Sequence, residues 1–204
     1  MTYLIQGFAL GLAYVAPIGM QNLYVINSAI RMPRIKALQV AFTTIFFDIS
    51  LAVACFLGVG LLLEKIPVLH SAILMFGSLA VTYIGLRLIL TKHPINNEVN
   101  LSESTIRIVA VCFAVTWFNP QAIIDGSLLL GGFKASLSPS ASKVFITGVV
   151  LASFTWFTSL SLLTSIFRKR INIRMLRLIN LICGTVIIFF GLKLAWQFYE
   201  FMKL

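Results

Sequence analysis

The chain is 204 residues long, 59% hydrophobic and only 11% charged, with a mean hydropathy of +0.99. A soluble domain needs a charged, wetted surface, and these residues cannot build one, so lipid is the solvent that fits. The net charge of +10 lies in short stretches between long apolar runs rather than on one basic face with interleaved aromatics. That distribution excludes a nucleic-acid partner and points to membrane topology, with anionic lipid headgroups as the partner.

The N-terminus reads Met1-Thr2-Tyr3-Leu4, without positive charge ahead of the apolar stretch, so the first segment is expected to stay in the mature protein. Six runs are long enough to cross ~30 Å of hydrocarbon as helix. They cover about residues 3–30, 37–63, 68–90, 108–133, 144–167 and 176–198. The runs are continuously apolar rather than alternating, which selects helices over a β-barrel. The expected fold is therefore an all-α integral membrane protein, a single transmembrane domain over residues 1–204.

The first run holds Gly7 and Gly11, a G-x-x-x-G pair that can bring helices or protomers close, and then Pro17, Gly19, Gln21 and Asn22. Arg31, Arg34 and Lys36 close it. The second run carries Asp48 almost at its midpoint and ends before Glu64-Lys65-Ile66-Pro67. The third closes with Ile84-Gly85-Leu86-Arg87-Leu88. A connection over about residues 91–107, with Asn96-Asn97-Glu98 and Ser102-Glu103-Ser104, reads as a flexible cytoplasmic linker. The fourth run contains Asn119-Pro120 near its centre and Asp125 about one turn beyond. The fifth ends at Arg168-Lys169-Arg170, and the sixth closes with Phe190-Gly191-Leu192-Lys193-Leu194.

With six crossings, the first, third and fifth loops share one side and hold eleven of the sixteen positive charges; the other side holds Lys65, Lys134, Lys143, Lys193 and Lys203. Positive charge marks the cytoplasm, so both termini are expected outside. A single re-entrant segment would put them on opposite sides.

Residues 1–90 laid over 105–200 match each other. Pro17 and Pro120 hold equivalent places, each followed five positions later by a polar side chain, Asn22 or Asp125. Pro17 to Gly85 is 68 positions and Pro120 to Gly191 is 71, so the offset hardly drifts. Three spans is an odd number, so the second copy must enter from the opposite side. The expected arrangement is two inverted three-helix repeats, about 1–90 and 108–204, as in many secondary transporters.

Two of the six acids, Asp48 and Asp125, lie deep within apolar runs, and no Lys or Arg lies at comparable depth. An ionised Asp at the bilayer centre costs about 2.5–3.5 kcal/mol on insertion scales. A proton, a water-filled cavity or a cationic ligand can offset that cost, as can hydrogen bonds from Ser, Thr or Asn on a neighbouring helix. Removal from water disfavours the charged carboxyl, so such an Asp can alternate between a proton and a cation, the chemistry an antiporter needs. Pro17 frees the carbonyl of Ala13 and Pro120 that of Thr116; Gly19 loosens the first break and Asn119 places an amide beside the second. Broken backbone at this depth is tolerated only inside protein or beside a wet cavity. Freed carbonyls there can hold a zwitterion's ammonium, and a half-helix N-terminus its carboxylate.

Cys55, Cys112 and Cys183 lie singly in apolar runs and read as buried thiols, while His70 and His93 sit at segment edges. No metal motif, cofactor motif or nucleophile–base pair is present, so neither a metal site nor an enzyme is expected. Arg87 and Lys193 read as snorkelling side chains, and Trp117, Trp156 and Trp196 as packing or interfacial aromatics.

At these same residues the chain resembles the LysE-type amino-acid exporters. Pro17-Ile18-Gly19-Met20-Gln21-Asn22 is similar to that family's early Gly-Pro-Gln-Asn motif, with Met20 where basic amino-acid exporters usually have Pro. Thr116-Trp117-Phe118-Asn119-Pro120-Gln121-Ala122-Ile123-Ile124-Asp125 matches its Thr-Trp-Leu-Asn-Pro-x-x-Tyr-Leu-Asp signature, with Ile123 replacing the Tyr, and Asp48 falls where the family has its second-span Asp. The resemblance implies export of basic amino acids across a bacterial inner membrane, driven by the proton-motive force rather than ATP. It implies Asp48 and Asp125 as essential acids, with Gln21, Asn22 and Asn119 lining the pathway. Substrate and protons are then the partners, and a homodimer is compatible with so small a transporter. The alternatives are export of neutral amino acids such as homoserine, threonine or leucine, a non-transporting scaffold subunit, and a passive channel.

Overall fold

A computed structural model describes residues 1–17, 19–58, 65–90, 104–134, 137–167 and 173–203. Ile18 of the first motif, Glu64, His93, residues 91–103 of the expected linker and Arg168 to Arg170 lie outside the described residues. Every regular element among those described is helical: α1 (Thr2–Val15), α2 (Met20–Arg31), α3 (Arg34–Leu57), α4 (Pro67–Leu90), α5 (Thr105–Trp117), α6 (Pro120–Gly126), a π-helical stretch (Ser127–Gly131), α7 (Gly132–Lys134), α8 (Pro139–Phe167) and α9 (Ile173–Phe201).

Local chemistry sets the boundaries. Pro33 follows α2, and the residue before a proline is pushed out of the helical region; Met32 is accordingly extended, and α3 starts afresh at Arg34. Gly58 stops α3, earlier than the apolar run suggested. It takes φ 102°, a left-handed conformation open to glycine, and its N–H reaches back to the Ala54 and Cys55 carbonyls. Ser104 caps α5 by accepting from the Arg107 N–H. Ser138 caps α8, whose first residue is Pro139, by accepting from the Ala141 N–H.

Three helices, Arg34–Leu57, Pro139–Phe167 and Leu181–Phe201, are each long and apolar enough to cross a membrane, and two bent pairs reach that standard together. The described apolar part of α4, Ser71–Arg87, is shorter. The axes of α1 and α2 differ by 78°, and those of α5 and the Ala122–Lys134 stretch by 65°. These are full breaks, larger than the kink a proline puts in a continuous helix, because the chain is extended at Gly19 and leaves helical dihedrals at Phe118 and Asn119.

Small residues allow the tightest packing. A Cβ on Gly7 would overlap the Phe145 carbonyl oxygen, and one on Gly11 would lie 2.8 Å from the Ala152 Cβ. The G-x-x-x-G pair thus seats α1 on α8 within the chain, leaving neither glycine to a second protomer. Gly85 and Gly184 bring α4 and α9 together in the same way. Helix α3 lies between α8, α5 and α2. Its Thr44 and Asp48 face inward while Phe42 and Phe46 are exposed. Polar inside and aromatic outside suits a lipid surround.

Candidate functional site

Asp48 sits where α2, α3 and α8 meet. It is fully buried, and each of its carboxyl oxygens accepts a hydrogen bond from a different helix. Ser153 Oγ on α8 donates to Oδ2 at 2.6 Å, and Gln21 Nε2 on α2 reaches Oδ1 at 3.4 Å. The same Gln21 nitrogen donates to Thr116 Oγ1 at 2.9 Å, which ties in the end of α5 beside the second break. Both donors to Asp48 are neutral, so the carboxyl is hydrogen-bonded but not charge-compensated by them. Taking a charge out of water in that state is costly, and a mobile cation or a proton is what would balance it.

The first break is built around Asn22. Pro17 cannot donate, α1 ends at Val15, and the extended Gly19 (φ −124°, ψ −172°) precedes α2. Asn22 Nδ2 donates to the Val15 carbonyl at 3.0 Å and to the Pro17 carbonyl at 2.7 Å, while its Oδ1 accepts from Trp156 Nε1 at 2.9 Å. The amide expected to line a pathway is therefore occupied by the fold, clamping the two half-helices and docking them on α8.

The second break follows a different plan. Asn119 is the N-cap of α6, accepting from the Ala122 N–H at 3.3 Å, and Pro120 is its first residue, where a missing N–H costs nothing. Its side chain, too, serves helix initiation. Asp125 follows on α6 and is exposed, unlike Asp48. The next residue, Gly126, lies against Tyr14 and Cys55: a Cβ there would be 3.0 Å from Tyr14 Cε2 and from Cys55 Sγ. Tyr14 is within electrostatic range of both Asp48 and Asp125.

The structure thus brings Asp48, Gln21 and Thr116 together, places Asn22 one residue further along α2 as a clamp, and leaves Asn119 and Asp125 on the α6 side. Ser153, Tyr14 and Trp156 were not singled out as site residues. Ser153 had a signal in the sequence: it lies 105 positions after Asp48, within the 103 to 106 positions that separate Pro17 from Pro120 and Gly85 from Gly191. Among the described residues no cluster of three or more His, Cys, Asp or Glu side chains is placed to hold a metal ion.

Residues 12–197 match the LysE type translocator family. The chain belongs to that family. It is 33% identical to the arginine exporter protein ArgO of Serratia proteamaculans (strain 568) over 95% of this chain and 96% of the relative. It is 32% identical to the proteins of the same name from Salmonella enteritidis PT4 (96% and 94%) and Escherichia coli O157:H7 (95% and 93%). No solved structure matches the chain. Family membership and the apolar helices together make this LysE-type chain a multi-pass membrane protein.

Proposed function

We propose that the chain is a secondary-active exporter of basic amino acids in a bacterial inner membrane, using the proton-motive force. The observation that carries this reading is Asp48, a fully buried carboxyl held, among the described residues, only by a hydroxyl and an amide, at a junction of three helices. A guanidinium or ammonium group supplies the charge that those donors lack, and in its absence a proton does. One carboxyl that holds either a proton or a cation, never both, is sufficient for exchange. Arginine efflux by relatives of nearly equal length supports a basic substrate.

In this reading Asp125, the exposed acid on α6, meets the cation from water and Asp48 holds it in transit. Gln21 lines the route; Asn22 and Asn119, with Pro17, Gly19 and Pro120, keep the two breaks in shape. Six spans form two inverted repeats, joined by the linker over residues 91–107, with both termini outside. The contacts support that symmetry. Exchanging the halves turns α1 against α8 into α5 against α3, both of which occur, while α3 against α8 and α4 against α9 map onto themselves.

Vesicles preloaded with radiolabelled arginine, lysine or leucine test the proposal. Saturable release of the two basic substrates, accelerated by an imposed proton gradient, is expected. Leucine release alone would move the reading to neutral amino acids, unsaturable release to a channel, and no release to a scaffold.

A further inference from the structure

We infer that Ser153 is the positioning residue for Asp48, holding the carboxyl so that Oδ1, not Oδ2, is presented to the substrate's cationic group. The inference rests on the exporter reading. Ser153 Oγ and Asp48 Oδ2 are 2.6 Å apart, between two side chains that are both 0% exposed. That is a short, charge-assisted geometry. The other oxygen is held loosely. Gln21 Nε2 lies 3.4 Å from Oδ1, at the outer limit of a hydrogen bond, and makes its better bond, 2.9 Å, to Thr116 Oγ1.

An ionised carboxyl has about four lone-pair sites, so an arriving guanidinium or ammonium goes first to the oxygen that is held more loosely, and where the two crowd it displaces that oxygen's donor. Giving up the Gln21 contact sacrifices little, because Gln21 keeps Thr116. Giving up the Ser153 contact sacrifices the strongest bond the carboxyl has; the serine's alternative acceptor, its own helix carbonyl at Val149, is 3.4 Å away. The cation is therefore received at Oδ1, on the side of α2 and α5, with Ser153 fixing the carboxyl plane from behind. The acid comes from the first half of the chain and its orienting hydroxyl from the second.

The test is arginine efflux from vesicles carrying equal amounts of full-length wild type, Ser153→Ala, Ser153→Cys and Ser153→Thr. A hydrogen bond to a charged group is worth about tenfold or more in binding. KM is expected to rise about tenfold in Ser153→Ala and by somewhat less in Ser153→Cys, a weak donor of similar volume, with Vmax within about twofold. Ser153→Thr keeps the hydroxyl and is expected within about threefold of wild type. An unchanged KM in Ser153→Ala overturns the inference, as does a loss confined to Vmax or an equal loss in the Ala and Thr variants. If the added methyl keeps Ser153→Thr out of the membrane, Ser153→Cys decides: a wild-type KM there means that volume, not the donated proton, is what matters. Failure of the exporter reading is separate and visible, since wild type itself then shows no saturable arginine release.

Discussion

Replacing Asn22 with Ala removes a clamp whose three hydrogen bonds, 3.0, 2.7 and 2.9 Å long, hold the first helix break closed and dock it on α8. The side chain is 4% exposed, so water cannot readily take its place. The Val15 and Pro17 carbonyls and the Trp156 indole N–H all lose a partner. Interhelical hydrogen bonds in membrane proteins average about 0.6 kcal/mol each, and a buried group left without a partner costs about 1–3 kcal/mol. For three bonds the expected destabilisation is about 2–5 kcal/mol. Unfolding in mixed detergent micelles with rising denaturing detergent, followed by tryptophan emission, measures it. Asn22→Asp refines the test. When protonated, the new carboxyl can still donate to one of the two carbonyls; when ionised it donates to neither and faces both, so this variant should lose more stability than wild type as pH rises. A destabilisation below about 0.5 kcal/mol for Asn22→Ala, within the range of a neutral surface change, would refute the clamp.

Gly148→Ala should separate α1 from α8, because the new Cβ would overlap the Leu4 carbonyl oxygen and lie 2.7 Å from the Phe8 nitrogen; membrane-inserted protein is expected to fall severalfold by immunoblot. Gly132→Ala is the matched control: nothing lies within 4 Å of its Cβ, and its level should stay at wild type. Asn119→Ala removes the α6 cap and should cost about 1 kcal/mol locally, read as roughly fivefold faster hydrogen exchange at the Ala122 amide with little change at α8.

Much of this was legible in one dimension because membrane helices are long and their interruptions are chemically marked. Pro17 and Asn119-Pro120 locate both breaks to within a residue or two, since a proline cannot extend a helix that precedes it. Less legible was what each polar side chain does once the break forms. Asn22 and Asn119 carry the same amide, yet one bridges carbonyls and an indole from α8 while the other caps its own helix; the difference depends on which helix arrives opposite. The exposure of Asp125 is hard to read from the sequence for a related reason. Counting residues along a straight helix puts it about one turn past the centre of its run, whereas the 65° bend at the break turns α6 away from the axis of α5. The Gly58 cap is masked in the sequence by a run that stays apolar past it. Ser153 comes into view only when the spacing between the two prolines and the two glycines is carried over to the acids.

The central claim is that Asp48 binds the transported cation. Efflux of radiolabelled arginine from preloaded vesicles, with matched amounts of wild type and Asp48→Asn in the membrane, tests it most directly. Asn keeps the size and can still hydrogen-bond Ser153 but carries no charge, so saturable efflux should fall to the protein-free background. Saturable efflux by Asp48→Asn at the wild-type rate would contradict the account.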